Sequence, residues 1–423
     1  MKTIAEISRE NGSRETEIGL IPEDWDISEL TKEGVAKLIM GQSPPSSTYN
    51  EDKEGLPFLQ GKAEFGRESP SPEKWCTKPS RIAEKNDVLI SVRAPVGDVN
   101  ISPFKCAIGR GLAAIRADRK LLPYFLLYYL QYAKKRIEEK GTGSTFKAIN
   151  KSVLQHLKII LPEISEQHKI TFVLLRIQQA IEHQEKLIKI TIELKKSLMH
   201  KLFTEGLHDE EQKETEIGLI PKSWEVVEVD SLGEIVTGTT PPTKNKSYYE
   251  GGGFQFISPV DLGDTKYVYK TEKEISLEGL KVSRILPKDA VLVVCIGSTT
   301  GKVGLTFKDK STTNQQINTI ICNEEFNPHF IYYLLDFKSD YIRSLSTPSP
   351  VPILSKGKFQ RAMIPMIKNK REQDKIAEIL SAIDEKIEKA KYHKQTLQSL
   401  FKTMLNQLMT GRVRVKNLDI VVN

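Results

Sequence analysis

Two stretches of the chain, residues 166–205 and 372–410, contain no proline or glycine and carry apolar side chains at alternating steps of four and three residues. This 3.5-residue spacing predicts a coiled-coil seam, in which the apolar side chains of one helix pack against those of another. At 1.5 Å per residue, each stretch predicts a helix about 60 Å long. The apolar seam positions are Ile170, Leu174, Ile177, Ile181, Ile188, Leu198 and Leu202 in the first stretch, and Ile376, Leu380, Ile383, Ile387, Leu397, Phe401, Met404 and Leu408 in the second.

A helix of this length with one apolar stripe needs a partner, and the two stretches match each other in length and register. The second globular region follows the first helix directly, so parallel pairing would require the chain to return over the whole helix length. We therefore expect the two helices to form an antiparallel coiled coil. Two separate surface helices, each packed on its own domain, are the alternative.

The chain consists of two similar halves. Residues 16–22 (TEIGLIP) recur as residues 215–221, and a tryptophan follows three residues later in both halves. Because the matches are collinear and far too widely spaced for a solenoid, they indicate a duplicated domain pair with pseudo-twofold symmetry. The weaker matches pair GQSPP at 41–45 with GTTPP at 238–242, DVLISV at 87–92 with DAVLVV at 289–294, PYFLLYYL at 123–130 with PHFIYYLL at 328–335, and EQHKI at 166–170 with EQDKI at 372–376.

Each half opens with a mixed stretch in which Gly/Pro turns separate short β-branched runs, followed by a helical segment at 123–140 or 328–343. This order predicts a mixed α/β fold with two similar globular domains joined by the two long helices. The predicted boundaries are 1–25 for an N-terminal segment, 26–165 for the first globular domain, 166–206 for the first long helix, 207–224 for a linker with the repeated motif, 225–370 for the second globular domain, 371–411 for the second long helix and 412–423 for a C-terminal tail.

Composition narrows the class of protein. The 423 residues suffice for two to four domains, and no apolar run approaches the roughly 18–20 residues that would span a bilayer. The N-terminus lacks the apolar segment of a signal peptide, so we expect a cytoplasmic protein with no membrane partner. A formal net charge of +7 permits a polyanionic partner without requiring one. The widely spaced cysteines and unpaired histidines predict no metal site.

Two segments resemble catalytic motifs but fail on spacing. Residues 297–303 (GSTTGKV) have three residues between the glycines where a phosphate-binding loop has four, and the counterpart at 93–99 (RAPVGDV) lacks the lysine. Asp261, Asp264 and Lys266 have the residue types of a nuclease site, but the carboxylates are too close in sequence to come from separate strands. We interpret the first segment as a strand–turn–strand element and the second as a solvated loop, and predict no catalytic residue.

Two variable globular domains, each opened by the EIGLIPxxW motif and followed by a long helix, resemble the specificity subunit of type I restriction-modification enzymes. The helix ends, LFTEG at 202–206 and LMTGRVRV at 408–415, also resemble that family, and the resemblance covers nearly the whole chain. It implies that 26–165 and 225–370 are target-recognition domains, each reading one half of a split DNA sequence. Residues 166–206 and 371–411 would be the central and distal conserved regions.

The same resemblance implies partners and cofactors. The helices would set the length of the unread spacer and dock two methyltransferase subunits, and restriction/translocase subunits would join to cut unmethylated double-stranded DNA. This chain would then be a non-catalytic specificity subunit that holds no cofactor, with S-adenosylmethionine, ATP and magnesium bound by the partner subunits.

Base reading requires Arg, Lys, Asn or Gln side chains on loops that reach the groove edges, with other cations on phosphates. Equivalent loops of the two halves supply these residue types, and the two sets differ at matching positions. That difference fits two different half-sites and fits neutral divergence equally well. The candidates are Gln60, Lys62, Arg67, Lys74, Arg81, Arg93 and Arg110 in the first half, and Lys244, Lys246, Lys266, Lys281, Arg284, Lys302, Gln315 and Gln316 in the second.

A coiled-coil scaffold presenting two protein-binding modules is the alternative function. Salt dependence separates the two, because a chain that neutralises several phosphates loses duplex affinity steeply as the salt concentration rises. The lysines along the long helices are interpreted as solvated flanks of the coiled coil: Lys186, Lys189, Lys195, Lys196, Lys386 and Lys389.

Overall fold

The computed structural model describes residues 12–141, 148–263, 265–416 and 418–419. The chain divides into unit 1, Met1–His183 with Gln395–Asn423, and unit 2, Gln184–Lys394. Each unit therefore contains one globular domain, the N-terminal part of one long helix and the C-terminal part of the other. The helices are α1 (Pro123–Glu139), α2 (Lys151–Gln155), α3 (Ile164–Glu205), α4 (Leu277–Lys281), α5 (Pro328–Phe337), α6 (Ser339–Ser344), α7 (Lys356–Gln360) and α8 (Lys370–Met409).

The globular domain of unit 1 is built from short strands. Strands β10, β9, β12 and β4 form one sheet in that order, and β5, β7, β6, β11 and β8 form another, in which β11 is parallel to β6. The strands are β1 (Ser13–Thr16), β2 (Gly19–Pro22), β3 (Asp26–Glu29), β4 (Ala36–Met40), β5 (Tyr49–Asn50), β6 (Leu56–Leu59), β7 (Lys74–Cys76), β8 (Ile82–Ala83), β9 (Val88–Ser91), β10 (Val99–Ile101), β11 (Cys106–Ile108), β12 (Leu112–Ala117) and β13 (Lys158–Leu161).

Unit 2 repeats this plan with one change. Strands β17, β24, β21, β22 and β19 form the sheet that corresponds to β4, β12, β9 and β10, and β19 extends it by pairing parallel to β22. The strands are β14 (Gln212–Thr215), β15 (Gly218–Pro221), β16 (Glu225–Glu228), β17 (Gly233–Thr237), β18 (Phe254–Ile257), β19 (Tyr267–Val268), β20 (Lys273–Ile275), β21 (Val291–Val294), β22 (Val303–Thr306), β23 (Thr312–Thr313), β24 (Ile317–Cys322) and β25 (Met363–Met366).

The repeated TEIGLIP motif forms a β-hairpin in each unit, β1–β2 and β14–β15. The turn glycines, Gly19 and Gly218, have φ angles of 109° and 100°, which only glycine adopts without strain. The tryptophans that follow, Trp25 and Trp224, are 1% and 0% exposed. The predicted linker at 207–224 is therefore a folded hairpin that leads into a buried aromatic anchor.

A buried glutamine fixes the first turn of each long helix to its own domain. In unit 1, Gln167 accepts from the Leu122 amide at 2.9 Å and donates to the Lys120 and Pro162 carbonyl oxygens, both at 2.9 Å. In unit 2, Gln373 makes the corresponding three bonds, and both glutamines are fully buried. Because both glutamine side chains are buried, these bonds satisfy amide groups that would otherwise be left unpaired and would destabilise the unit.

The long helices pack antiparallel within each unit, as predicted. In unit 2, Lys195 pairs with Asp384 at 2.8 Å and Glu185 pairs with Lys394 at 3.0 Å. The residue number in α8 rises where that in α3 falls, so the two helices run in opposite directions. For Lys195, the interpretation as a solvated flank of the coiled coil is wrong, as its ion pair with Asp384 shows. In unit 1, Leu174 and Leu408 share one apolar core. All fifteen predicted seam residues are buried or half-buried. Within the described ranges, no helix is long and apolar enough to cross a membrane.

The C-terminal end of unit 1 closes against the start of α3. The Arg414 guanidinium donates to both carboxylate oxygens of Glu166 at 2.9 Å and to both oxygens of Asp24 at 2.8 and 2.9 Å. The Trp25 indole donates to Glu166 at 2.9 Å. Hydrogen bonds from Arg414 hold the pKa of Asp24 below its usual value. Residues 412–416 are therefore part of the fold of unit 1.

Candidate nucleic-acid interface

In unit 1, loops from both sheets meet at one edge. The amide of Gly41, after β4, donates to the Leu112 carbonyl at 2.9 Å, and the amide of Gly109, after β11, donates to the Leu59 carbonyl at 2.8 Å. The amide of Val92, after β9, donates to the Gly111 carbonyl at 2.9 Å. We call this place, residues 41–43, 60–61, 92–93 and 109–111, the loop edge of unit 1. It brings three candidates together: Gln60, Arg93 and Arg110, all exposed.

Glycine is required at this edge because backbones approach closely. A Cβ atom on Gly41 would lie 2.0 Å from the Gly109 carbonyl oxygen, and one on Gly111 would lie 2.3 Å from the Gln60 carbonyl oxygen. No side chain fits at such distances. The glycines therefore fix the spacing of the loops that carry Gln60 and Arg110.

Unit 2 builds the same edge from different side chains. A Cβ atom on Gly238 would lie 2.0 Å from the Asn314 carbonyl oxygen, and the Cys295 amide donates to the Gln316 carbonyl at 2.8 Å. The loop edge of unit 2 comprises residues 238–240, 257–258, 295–297 and 314–316. Gln315 and Gln316 occupy the places that Arg110 and Gly111 have in unit 1.

Proline-rich loops border both edges, and a tyrosine holds each of them. The Tyr49 hydroxyl donates to the Pro44 carbonyl at 2.7 Å, and the Tyr249 hydroxyl donates to the Pro241 carbonyl at 2.6 Å. Each bond fixes the loop that follows Gly41 or Gly238. The exposed Gln42 and Thr240 lie in these loops and were not among the sequence candidates, although the repeated GxxPP pattern marks their position.

The glutamines of unit 2 are held in defined orientations. The Gln315 side-chain oxygen accepts from the Thr240 hydroxyl at 2.5 Å, and that of Gln316 accepts from the Asn314 amide at 2.9 Å. Gln315 is exposed and Gln316 is half-buried. The Gln315 side-chain amide is thus held through its oxygen at an exposed position of the edge.

A second group of candidates in unit 2 is cationic. The Ser276 amide, which precedes α4, donates to the Tyr248 carbonyl at 2.9 Å and so joins α4 to the short helix Lys246–Tyr248. The Arg284 guanidinium donates to the Thr237 carbonyl at the end of β17. These contacts place four exposed side chains in one region of the domain: Lys244, Lys246, Lys281 and Arg284.

The remaining candidates of unit 1 have varied surroundings. Lys62 pairs with Asp98 at 2.7 Å, and Asp98 also pairs with Lys134 at 2.6 Å. Burial raises the pKa of Asp98, but hydrogen bonds from the two lysines outweigh it and the net pKa lies below the usual value. Lys62 is thus bound to its own domain, whereas Arg67, Lys74 and Arg81 have exposed side chains.

Lys266 lies in a different environment from the other candidates of unit 2. Its ammonium group contacts the Ser381 hydroxyl at 2.9 Å and the His329 Nδ1 atom at 3.2 Å, and lies 5.5 Å from the ring centroid of Tyr333. Burial lowers the pKa of Lys266. These contacts join the globular domain to α8, so the structure gives Lys266 an internal packing role.

Glu68 has the position in unit 1 that Lys266 has in unit 2. The carbonyl of Glu68 accepts from the Ile101 amide at 2.7 Å, and the carbonyl of Lys266 accepts from the Leu305 amide at 2.8 Å. Burial, followed by the charge of Glu182, raises the pKa of Glu68. Comparison of the two halves of the sequence missed this correspondence because a glutamate stands in one half and a lysine in the other.

The motifs that resemble catalytic sites have structural roles. Strands β21 and β22 pair antiparallel around residues 295–302, as predicted for a strand–turn–strand element. The Asp261 carboxylate accepts from the Ser258 amide and hydroxyl and from the Glu272 amide, so it stabilises its own loop. Asp264 lies outside the described residues. Among those that are described, no cluster of His, Cys, Asp or Glu has the arrangement of a metal site.

Residues 22–193 and 221–398 match the family described as the type I restriction modification DNA specificity domain. These two matches cover most of the chain and coincide with the two halves. The chain belongs to this family. This chain is 50% identical over 192 residues to the putative type I restriction enzyme MjaX specificity subunit of Methanocaldococcus jannaschii, a match that spans 45% of each protein.

A second relative from the same archaeon matches over the whole length. The type I restriction enzyme MjaVIII specificity subunit is 25% identical over 434 residues, which cover 99% of this chain and 100% of the relative. The crystal structure of a type I system S subunit from M. genitalium is 18% identical, covers 91% of this chain and 96% of its own, and has a TM-score of 0.60. That likeness supports the mixed α/β fold with two similar domains and long helices. The relatives are named as specificity subunits of type I restriction enzymes.

Proposed function

We propose that the two globular domains are target-recognition domains that read the two halves of a split DNA sequence. One observation carries the proposal: the same loop edge is built twice, with the same close backbone approach at Gly41 and Gly238, and presents different side chains. Arg93 and Arg110 stand at the edge of unit 1, and Gln315 and Gln316 at the edge of unit 2. A common framework with different polar groups is what two different half-sites require.

The residue types at the two edges differ in the bases that they prefer. Arginine pairs with the O6 and N7 acceptors of guanine, and glutamine pairs with the N6 and N7 atoms of adenine. The cationic group of unit 2 suits phosphates, which position the domain without reading sequence. We therefore assign base reading to the loop edges and backbone contact to Lys244, Lys246, Lys281 and Arg284.

The long helices serve as the spacer ruler in this proposal. Helices α3 and α8 contain 42 and 40 residues, which at 1.5 Å per residue corresponds to about 60 Å each. Since the seam side chains are buried or half-buried in both units, the helices act as stiff elements. Stiffness of this kind would keep the unread spacer constant in length.

The helices also present a surface for partner proteins. Leu187, Ile190 and Leu194 of α3 are 50%, 52% and 51% exposed, and their spacing places them on one face of the helix. An exposed apolar stripe is typical of a protein interface. We propose that methyltransferase subunits, two per chain, dock on the helices and that restriction/translocase subunits join them. S-adenosylmethionine, ATP and magnesium would be bound by those partners.

Mapping methylated bases tests the recognition proposal. The chain is expressed with its methyltransferase subunit in a host that lacks DNA methylation, and modified bases are mapped genome-wide. Two short fixed blocks around a constant unread gap are expected. A contiguous motif would contradict two independent readers. Absence of both methylation and salt-dependent duplex affinity would favour the scaffold alternative.

Single substitutions at the edges test which residues read bases. Arg110→Ala is expected to relax one base pair in one half-site, and Gln315→Ala one base pair in the other, because each removes a contact worth about 1–3 kcal/mol of discrimination. The readout is the methylated motif. Lys78→Ala, at an exposed position of unit 1, is the control and should leave the motif unchanged. Relaxation at both half-sites by either variant would refute separate reading.

Charge introduced into the apolar stripe tests docking. Leu187→Glu with Leu194→Glu is expected to reduce co-purification of the methyltransferase subunit at least tenfold, because a carboxylate at an apolar contact loses hydration on binding. Duplex binding by the isolated chain should not change. Val351→Glu, at a residue 56% exposed in the second globular domain, is the matched control. Undiminished co-purification of the double variant would exclude this face.

A further inference from the structure

A cleft lies between the globular domain and the helices in each unit, at equivalent places of the two halves. In unit 1, Gln131, Gln178 and Phe401 line a cleft of about 290 Å³. In unit 2, residues at the equivalent positions, Asp336, Asp384 and Lys195, line a cleft of about 430 Å³. The chain thus contains two versions of one cavity that differ in their chemistry.

The cleft of unit 2 is rich in cations. Four lysines and two aspartates line it, a formal excess of two positive charges: Lys195, Lys196, Lys302, Lys391, Asp336 and Asp384. The corresponding cleft of unit 1 is lined by one arginine, one glutamate and three glutamines, with no formal excess: Arg67, Glu68, Gln131, Gln178 and Gln398. Of the two clefts, that of unit 2 is therefore the one that attracts anions.

Neither aspartate of the cleft forms an ion pair with Lys196, Lys302 or Lys391. Asp384 pairs with Lys195 at 2.8 Å and accepts from the Tyr333 hydroxyl at 2.6 Å, so its carboxylate already has two partners. Burial raises the pKa of Asp336, which favours its neutral form. Among the described residues, none lies within ion-pair distance of Lys196, Lys302 or Lys391.

Lys302 and Lys391 are half-buried and line the cleft together with Lys196. A bound anion would be attracted to all three ammonium groups. The equivalent of Lys302 in unit 1 is Asp98, which pairs with Lys62 and Lys134 at 2.7 and 2.6 Å. Unit 1 satisfies that position internally, whereas in the described part of unit 2 no carboxylate pairs with Lys302.

We propose that the cleft of unit 2, through Lys196, Lys302 and Lys391, binds phosphate groups of the DNA backbone. Ammonium groups bind phosphate oxygens as compact point charges. Lys302 belongs to the globular domain, and Lys196 and Lys391 belong to α3 and α8. A phosphate in the cleft therefore ties the domain to the helices when DNA is bound. This inference rests on the proposed function, which supplies the polyanion.

The salt dependence of duplex binding tests the inference. The full chain is titrated with a fluorescent duplex of mixed sequence between about 50 and 250 mM KCl, since binding to phosphates does not depend on sequence. In K196Q/K302Q/K391Q, the slope of log affinity against log salt is expected to decrease by about 0.9 for each phosphate that the variant no longer neutralises. The triple Lys→Arg variant should retain the slope of the unchanged chain.

A matched control removes the same charge elsewhere. K386Q/K389Q/K402Q changes three exposed lysines outside the cleft, and Lys402 is the repeat equivalent of Lys196. Its slope should equal that of the unchanged chain. If the slope decreases equally in the control and test variants, the effect comes from the net charge of the chain and not from the cleft. That result would overturn the inference. An unchanged slope in the test variant would also overturn it.

Two further outcomes separate other occupants. Calorimetric binding of pyrophosphate that is abolished in K196Q/K302Q/K391Q, with the duplex slope unchanged, would make the cleft a site for free phosphates and overturn the assignment to DNA. If K196Q/K302Q/K391Q fails to capture the methyltransferase subunit while its duplex slope is unchanged, the cleft is a protein-binding site. That result would also overturn the assignment to DNA. If the unchanged chain shows no salt-dependent duplex affinity, the proposed function itself fails, which is distinguishable from failure at the cleft alone.

Discussion

A helix about 60 Å long with a single apolar stripe cannot bury that stripe by folding on its own. The chain meets this constraint with a second helix of matching register, and the antiparallel pairs in unit 2, Lys195 with Asp384 and Glu185 with Lys394, show the direction of packing. The buried glutamines, Gln167 and Gln373, fix the start of each helix to the domain before it. Each domain is thereby anchored to a stiff element of defined length.

The duplication keeps the framework and changes the surface. The close backbone approach at Gly41 and Gly238 recurs in both units. The tyrosine-to-proline bonds and the buried glutamines also recur, because they satisfy backbone groups that any sequence must satisfy. The side chains at the loop edges and in the clefts do not recur: Arg110 is replaced by Gln315, and Asp98 by Lys302. Different polar side chains on a shared framework are consistent with two readers that share a fold and differ in target.

The sequence predicts periodic and repeated features well because burial imposes them. The helices, their antiparallel pairing and the α/β domains follow from the 3.5-residue spacing and the repeat. The packing role of Lys266 could not be predicted, because its contact with Ser381 joins residues 115 positions apart. The hairpins at TEIGLIP could not be predicted either, because a four-residue strand beside a turn shows too little alternation of apolar and polar residues. Which bases Arg110 or Gln315 would contact in the proposed function depends on the DNA, which the sequence does not contain.

The central claim, that the helices set the spacer, is tested most directly by lengthening them. Four residues are inserted after Gln184 in α3 and after Lys394 in α8, next to the Glu185–Lys394 pair and on the same side of it, and the methylated motif is mapped. Each helix grows by about 6 Å, so at about 3.4 Å per base pair the gap should gain one or two base pairs with both half-sites unchanged. The same insertion in the exposed turn at residues 251–253 should change nothing. An unchanged gap in the lengthened chain would contradict the account.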